Sequence, residues 1–175
     1  GKLLYSLSKH TGTVKQVCFV AKNENVLYSS GLDSMVYEWN LETKDYAHKY
    51  KKKARLLNMK VSSNGNYLFY TANDTTISVW DVFKAKFYFS QKISFENLGT
   101  SNYFGEADFS PDGTLLAFPD SKNRIAIVDL NAGLINTIAK EANGYQYLNT
   151  LNFTPDQKSI FVTYPHATRT KLFDF

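Results

Sequence analysis

Short apolar runs separated by polar turns fill the chain, and none keeps a 3.6-residue period long enough to make a helix. The clearest unit covers residues 26–41. Val26-Leu27-Tyr28-Ser29-Ser30 reads as a strand, Gly31-Leu32-Asp33-Ser34 as a tight turn, and Met35-Val36-Tyr37-Glu38-Trp39-Asn40-Leu41 as a second strand. The unit returns over residues 67–82, from Tyr67-Leu68-Phe69-Tyr70 through Asn73-Asp74 to Ile77-Ser78-Val79-Trp80-Asp81. In both copies an Asp stands six positions before a Trp (Asp33 before Trp39, Asp74 before Trp80), and the two Trp are 41 residues apart. Two looser copies follow. Leu115-Leu116-Ala117-Phe118 leads to Ile125-Ala126-Ile127-Val128-Asp129-Leu130, and Ile160-Phe161-Val162-Thr163 leads to Lys171-Leu172-Phe173-Asp174-Phe175, with Val128 and Phe173 in the Trp position.

Each copy is preceded by a short strand and a polar turn, such as Ser62-Ser63-Asn64-Gly65, Ser110-Pro111-Asp112-Gly113 and Thr154-Pro155-Asp156-Gln157. Pro at the second turn position, then Asp, Asn or Gly, suits hairpin geometry. A repeated supersecondary unit buries its apolar faces against its neighbours, so the period predicts an all-β stack of sheets. The units fall at about residues 2–41, 42–82, 83–130 and 131–175. Length alone, 175 residues, would have suggested one undivided domain. The twelve Tyr, thirteen Phe and two Trp fit the strand reading, because rings pack well on a pleated surface. Phe19, Trp39, Trp80, Phe109 and Phe153 are the rings expected between sheets.

A repeat of roughly 40–45 residues built from short strands and closing on Trp-Asp or a variant resembles the WD-repeat family of β-propellers. The residues that carry the resemblance are His10-Thr11-Gly12-Thr13-Val14, Ser29-Ser30, Asp33 and Trp39-Asn40 in the first copy, with Asp74 and Trp80-Asp81 in the second. The resemblance implies four-stranded propeller blades. It also implies a structural hydrogen-bonded set of a loop His, a strand Ser or Thr, a turn Asp and a Trp, which His10, Ser29 or Ser30, Asp33 and Trp39 match. The second copy has Lys51 at the His position, so its set is incomplete. Residues 1–10 then correspond to an outer strand. With no Trp-Asp before them and no outer strand after Phe175, four blades of a larger ring, seven-bladed or more, are expected rather than a closed four-bladed one.

Candidate chemistry is sparse. Of His10, His48 and His166, no two have metal-ligand spacing; His48 reads as part of a charged loop and His166 follows Pro165. There is no Gly-x-Ser-x-Gly elbow and no phosphate-binding Gly-x-x-x-x-Gly-Lys loop, so no enzyme, cofactor, metal or small-molecule substrate is expected. Cys18, the single cysteine, lies in the apolar run Val17-Cys18-Phe19-Val20 and reads as a buried hydrophobe. No apolar run approaches the roughly 18 residues of a membrane helix, nor is a signal peptide or a membrane partner expected.

The distinctive charged feature is Lys49-Tyr50-Lys51-Lys52-Lys53-Ala54-Arg55, in a chain of net charge +4. Read plainly, it is a solvated loop between strands. Read functionally, Lys49, Lys51, Lys52, Lys53 and Arg55 are candidate contacts for an acidic protein partner or RNA. A second candidate surface is Phe87-Tyr88-Phe89, where alternation places both Phe on one face and Tyr88 on the other; core packing is the competing explanation.

Within the family, the strands around Leu27-Tyr28-Ser29-Ser30 and Val36-Tyr37-Glu38-Trp39-Asn40-Leu41 are similar to two groups. One is the WD-repeat subunits of the small-subunit processome, which matures ribosomal RNA; the other is the WD-repeat proteins of cilia and flagella. The resemblance implies a non-catalytic scaffold that binds other proteins of a multi-subunit complex. The basic balance favours ribosome biogenesis in the nucleolus or nucleus. A ciliary module is the first alternative, and a propeller that reads RNA or phosphoinositides directly is the second.

Overall fold

The computed structural model describes residues 1–74, 76–92, 107–119, 124–138, 150–164 and 170–174. Every regular element among them is a β-strand, and the strands form four antiparallel sheets. The first sheet holds β1 (Val14–Val20), β2 (Asn23–Gly31), β3 (Met35–Asn40) and β4 (Asp45–Lys51). The second holds β5 (Leu56–Val61), β6 (Tyr67–Ala72), β7 (Thr76–Asp81) and β8 (Lys86–Lys92). The third holds β9 (Asp108–Phe109), β10 (Leu115–Pro119), β11 (Ile125–Asp129) and β12 (Leu134–Ile138). The fourth is three-stranded: β13 (Thr150–Phe153), β14 (Ser159–Thr163) and β15 (Lys171–Asp174). Each sheet is a meander in chain order, as short loops between antiparallel strands dictate.

Sheet and sequence repeat are offset by one strand. The strand after each Trp-type strand pairs backwards: β4 pairs with β3, and β8 with β7. A span such as 42–82 therefore takes the last strand of one sheet and the first three of the next.

The turns explain why the repeat is visible in sequence. Ser62, Ser110 and Thr154 each donate their hydroxyl to the residue two positions on (Asn64 at 2.7 Å, Asp112 and Asp156 at 2.6 Å). The same hydroxyls accept the N–H of Tyr67, Leu115 and Ser159 at 3.0, 2.9 and 3.1 Å, which closes three equivalent hairpins. After the Trp position, Asn40, Asp81 and Asp129 each accept turn N–H groups through Oδ1. Four residues further on, the backbone turns left-handed each time, at Lys44 (φ 59°), Ala85 (φ 48°) and Gly133 (φ 72°).

The sheets stack face to face in the manner of propeller blades. Tyr28 and Val36 of the first sheet pack on Met59, Leu68 and Tyr70 of the second. Phe69 and Val79 of the second meet Leu116, Phe118 and Val128 of the third, and Ala117, Ile125 and Ile127 of the third meet Leu151, Ile160 and Val162 of the fourth. The first strands converge, β1 against β5, β5 against β9 and β9 against β13. Asp108 of β9 ties three of them: one carboxylate oxygen takes the Lys60 ammonium at 3.1 Å, and the other accepts the Phe153 N–H at 3.0 Å. The turns are also joined sideways, Ser63 Oγ donating to Pro111 O at 2.7 Å and Asn64 Nδ2 to Asp112 O at 3.2 Å.

Three expectations are corrected here. Residues 1–10 form no strand, because a strand needs a neighbour and no described strand runs alongside them. Phe19 is 63% exposed; it lies on the face of the first sheet turned away from the second, whereas Trp39, Phe109 and Phe153 are buried and Trp80 is partly buried. Phe87 and Phe89 lie on opposite faces, because a bulge between Val79 and Trp80 leaves Tyr88 unpaired; Phe87 then pairs with Trp80 and Phe89 with Val79.

Candidate functional site

Two equivalent places in the first and second sheets are built from the same positions with different chemistry. In the first, His10 Nδ1 lies 3.0 and 2.9 Å from the two Asp33 carboxylate oxygens, and its Nε2 lies 2.8 Å from Ser29 Oγ. Trp39 Nε1 donates to the same Ser29 oxygen at 2.8 Å. One proton arrangement satisfies all four groups: neutral His10 donates from Nδ1 to Asp33, Ser29 O–H donates to Nε2, and Ser29 Oγ accepts the indole N–H. Asp33 also accepts the N–H of Thr11 at 2.9 Å and of Met35 at 3.1 Å. Burial alone would raise the Asp33 pKa, but the His10 bond and the two backbone donors outweigh it and hold the carboxyl below its ordinary range. Gly31 is required at this point, since a Cβ there would stand 2.9 Å from His10 Nδ1. The Tyr37 ring meets the His10 ring edge-on at 4.7 Å, and its hydroxyl donates to Lys9 O at 3.2 Å.

In the second sheet Tyr70 stands where Ser29 stands in the first, each ten residues before its Trp. Asp74 keeps its turn role, accepting the Thr76 N–H at 3.1 Å. Lys51 stands 29 residues before Trp80, at the sequence position of His10, yet the side chain that reaches the Trp is that of Lys52. Its backbone N–H is held by Ser34 O of the first sheet at 2.8 Å, while Nζ crosses to the second. There it lies 4.0 Å from the Phe87 ring centroid and 4.5 Å from those of Tyr70 and Trp80. Burial pushes the Lys52 amine down to about 8, while the ring faces favour the charged form and act against that shift.

A pocket of about 360 Å³ opens here, lined by Lys51, Lys52, Lys53, Tyr70, Ser78 and Phe87 among others. Tyr70 Oη and Trp80 Nε1 are buried without a well-formed hydrogen bond. Hydroxyls of Ser78 and Tyr50 come close enough to them to weigh on the acidity of Tyr70 and Tyr50. Burial and the neighbouring Glu38 carboxylate push the Tyr50 hydroxyl up to about 12.

The basic run is therefore only partly a loop. Lys49 and Lys51 lie on β4, as does His48, which pairs across from Glu38; Lys52, Lys53 and Arg55 connect to β5. Lys49, Lys51, Lys53 and Arg55 are exposed. His166 lies outside the described residues. Cys18 is half-buried between the first two sheets; its Sγ donates to Met59 O at 3.2 Å, and burial raises its pKa. Among the described residues, no group of three His, Cys, Asp or Glu is placed to hold a metal ion, and no helix is long and apolar enough to cross a membrane.

Residues 1–40 and 45–81 match the family model described as "WD domain, G-beta repeat". The first two repeats are thus similar to WD repeats. Two curated proteins align more widely with the chain. Protein hir1 of Schizosaccharomyces pombe is 27% identical over 65% of the chain, and the transcriptional corepressor LEUNIG_HOMOLOG of Arabidopsis thaliana is 29% identical over 69%. The aligned stretches span 12% and 15% of those relatives' own lengths. The His10–Ser29–Asp33–Trp39 network lies within the first matched WD repeat, and Tyr70, Asp74 and Trp80 within the second. What sequence reasoning missed is the Lys52 cage. The only signal for it was Tyr70 in place of the small hydroxyl residue found at Ser29.

Proposed function

We propose that this chain is a non-catalytic docking platform for other proteins of a multi-subunit nuclear assembly. The observation that carries the reading is the cross-tied frame: Asp108 joins three first strands, and turn-to-turn hydrogen bonds join neighbouring sheets. Such a frame holds loops from several sheets in fixed relation, which is what a multi-point protein contact requires. Similarity to the transcriptional corepressor LEUNIG_HOMOLOG favours a transcriptional co-repressor assembly. Assembly of the small ribosomal subunit is the second reading, supported by the Val36-Tyr37-Glu38-Trp39-Asn40 strand and the net charge of +4.

We also read the four sheets as part of a larger ring. Val17 and Phe19 on the outer face of the first sheet, and Phe161 and Leu172 on that of the fourth, are apolar and about half exposed or more, which suits further blades at both ends. Affinity purification of the tagged protein from nuclei, with the bound proteins identified by mass spectrometry, tests the function. Co-repressor and chromatin proteins support the first reading, pre-ribosomal proteins the second, and axonemal proteins or bare RNA would refute both.

A further inference from the structure

We propose that the pocket between the first two sheets takes a carboxylate side chain from an acidic segment of a protein partner, seated on the Lys52 ammonium with its stem against Phe87. The inference rests on the docking-platform reading and names the chemistry of one of its contacts.

In the first repeat Ser29 Oγ and the Asp33 carboxylate supply the acceptors that Trp39 and His10 need. In the second repeat the corresponding oxygen is gone, because Tyr70 replaces the serine, and Asp74, on the pocket wall, accepts the Thr76 N–H and makes no ion pair with Lys52. Lys52 Nζ makes no ion pair or side-chain hydrogen bond among the described residues, whereas Tyr70 Oη lies close to the Ser78 hydroxyl and Trp80 Nε1 to that of Tyr50. Tyr70 is only 3% exposed and lines the pocket with its ring, its hydroxyl being buried. A partly buried ammonium such as that of Lys52 is held at a cost unless something accepts from it. The three rings stabilise the ammonium but accept no conventional hydrogen bond from it.

An oxyanion supplies both the missing charge and the missing lone pairs, and Lys51 and Lys53 on the pocket wall outweigh the one carboxylate there, Asp74. A carboxylate on a flexible methylene stem fits better than a polynucleotide phosphate. The cation is recessed among Tyr70, Trp80 and Phe87, where a stem gains apolar contact and a polyanion backbone cannot lie flat. At about 360 Å³ the pocket sits at the small end of ligand sites, which run roughly 300–1,000 Å³.

The test uses the whole chain, labelled with 15N, and a fluorescein-labelled oligoglutamate. The chain has two indole N–H groups, and Trp39 serves as the internal control because its N–H is already bonded to Ser29. On titration the Trp80 N–H resonance should move while that of Trp39 stays. By fluorescence anisotropy, Lys52→Gln should weaken binding about tenfold more than Lys49→Gln, which removes an equal charge outside the pocket. Equal losses for the two variants, a stationary Trp80 resonance, or tighter binding of a single-stranded RNA of equal charge would each overturn the proposal. Should Lys52→Gln fail to fold, the wild-type resonance experiment decides alone. If wild-type and Lys52→Gln proteins purify with the same partners and oligoglutamate leaves Trp80 unmoved, the pocket is refuted and the platform stands. If the wild-type protein purifies with no partner at all, both fall.

Discussion

Replacing Ser29 by Ala should be among the most damaging single-atom deletions in the chain. Ser29 is 4% exposed, and its Oγ serves two partners at once, His10 Nε2 and Trp39 Nε1, each at 2.8 Å. Deleting it leaves an imidazole nitrogen and an indole N–H without their bonds inside the fold. A buried polar group that loses its partner costs roughly 1–3 kcal/mol, and the loss of a single methyl-sized atom leaves too little room for water to take over both. Stability should therefore fall by about 2–4 kcal/mol, a large share of the 5–15 kcal/mol typical of a domain. Urea unfolding followed by tryptophan fluorescence and circular dichroism measures this. Tyr70→Phe supplies the contrast, because the Tyr70 hydroxyl lacks a well-formed bond and its removal should be neutral or slightly stabilising. A loss below about 0.5 kcal/mol for Ser29→Ala would refute the reasoning, since it would mean the network contributes no more than an ordinary surface substitution.

Three further outcomes are expected. Asp33 has a folded pKa below its unfolded value of roughly 3.9, so its contribution to stability is complete above about pH 4 and lost as pH falls through the folded pKa. The stability gap between wild type and Asp33→Asn should accordingly narrow on acidification, and a gap that stays constant down to about pH 2 would contradict this. Asp108→Ala removes the acceptor shared by Lys60 and the Phe153 N–H and should cost about 1–3 kcal/mol, read as a lowered urea midpoint. Ala85→Gly should raise stability by about 0.5–1 kcal/mol in thermal melts. Exposed Ala85 holds φ 48°, a left-handed conformation that costs an L residue roughly 1–2 kcal/mol, of which glycine's unfolded-state freedom takes back part.

Much of the fold was legible because it is written in local chemistry. The Ser or Thr that opens each hairpin, the Asn or Asp two residues later, and the Asn or Asp after the Trp position bond within a few residues of themselves. Those bonds depend on residue type and spacing, which a sequence displays directly. The grouping of His10, Ser29, Asp33 and Trp39 was readable for a different reason: the family resemblance carried it, and no local rule would have joined His10 to residues 19 and 23 positions away.

What sequence pattern could not carry was decided by single-residue irregularities and by neighbouring sheets. One unpaired residue, Tyr88, turns Phe87 toward Trp80 and Phe89 toward Phe118, although strict alternation puts them together. Lys51 ends β4 while Lys52 begins the connection to β5, so a one-place difference settles which lysine enters the cage, and Lys52 rather than Lys51 does. The apolar character of Phe19 is plain in the sequence, but its exposure is not, because burial depends on whether another sheet lies over that face. Residue order thus determined the strands, the turns and the repeat, which are short-range bonds. Only the stacking of the sheets decided which side chains are covered and which donors are left without an acceptor, because those depend on atoms far away along the chain.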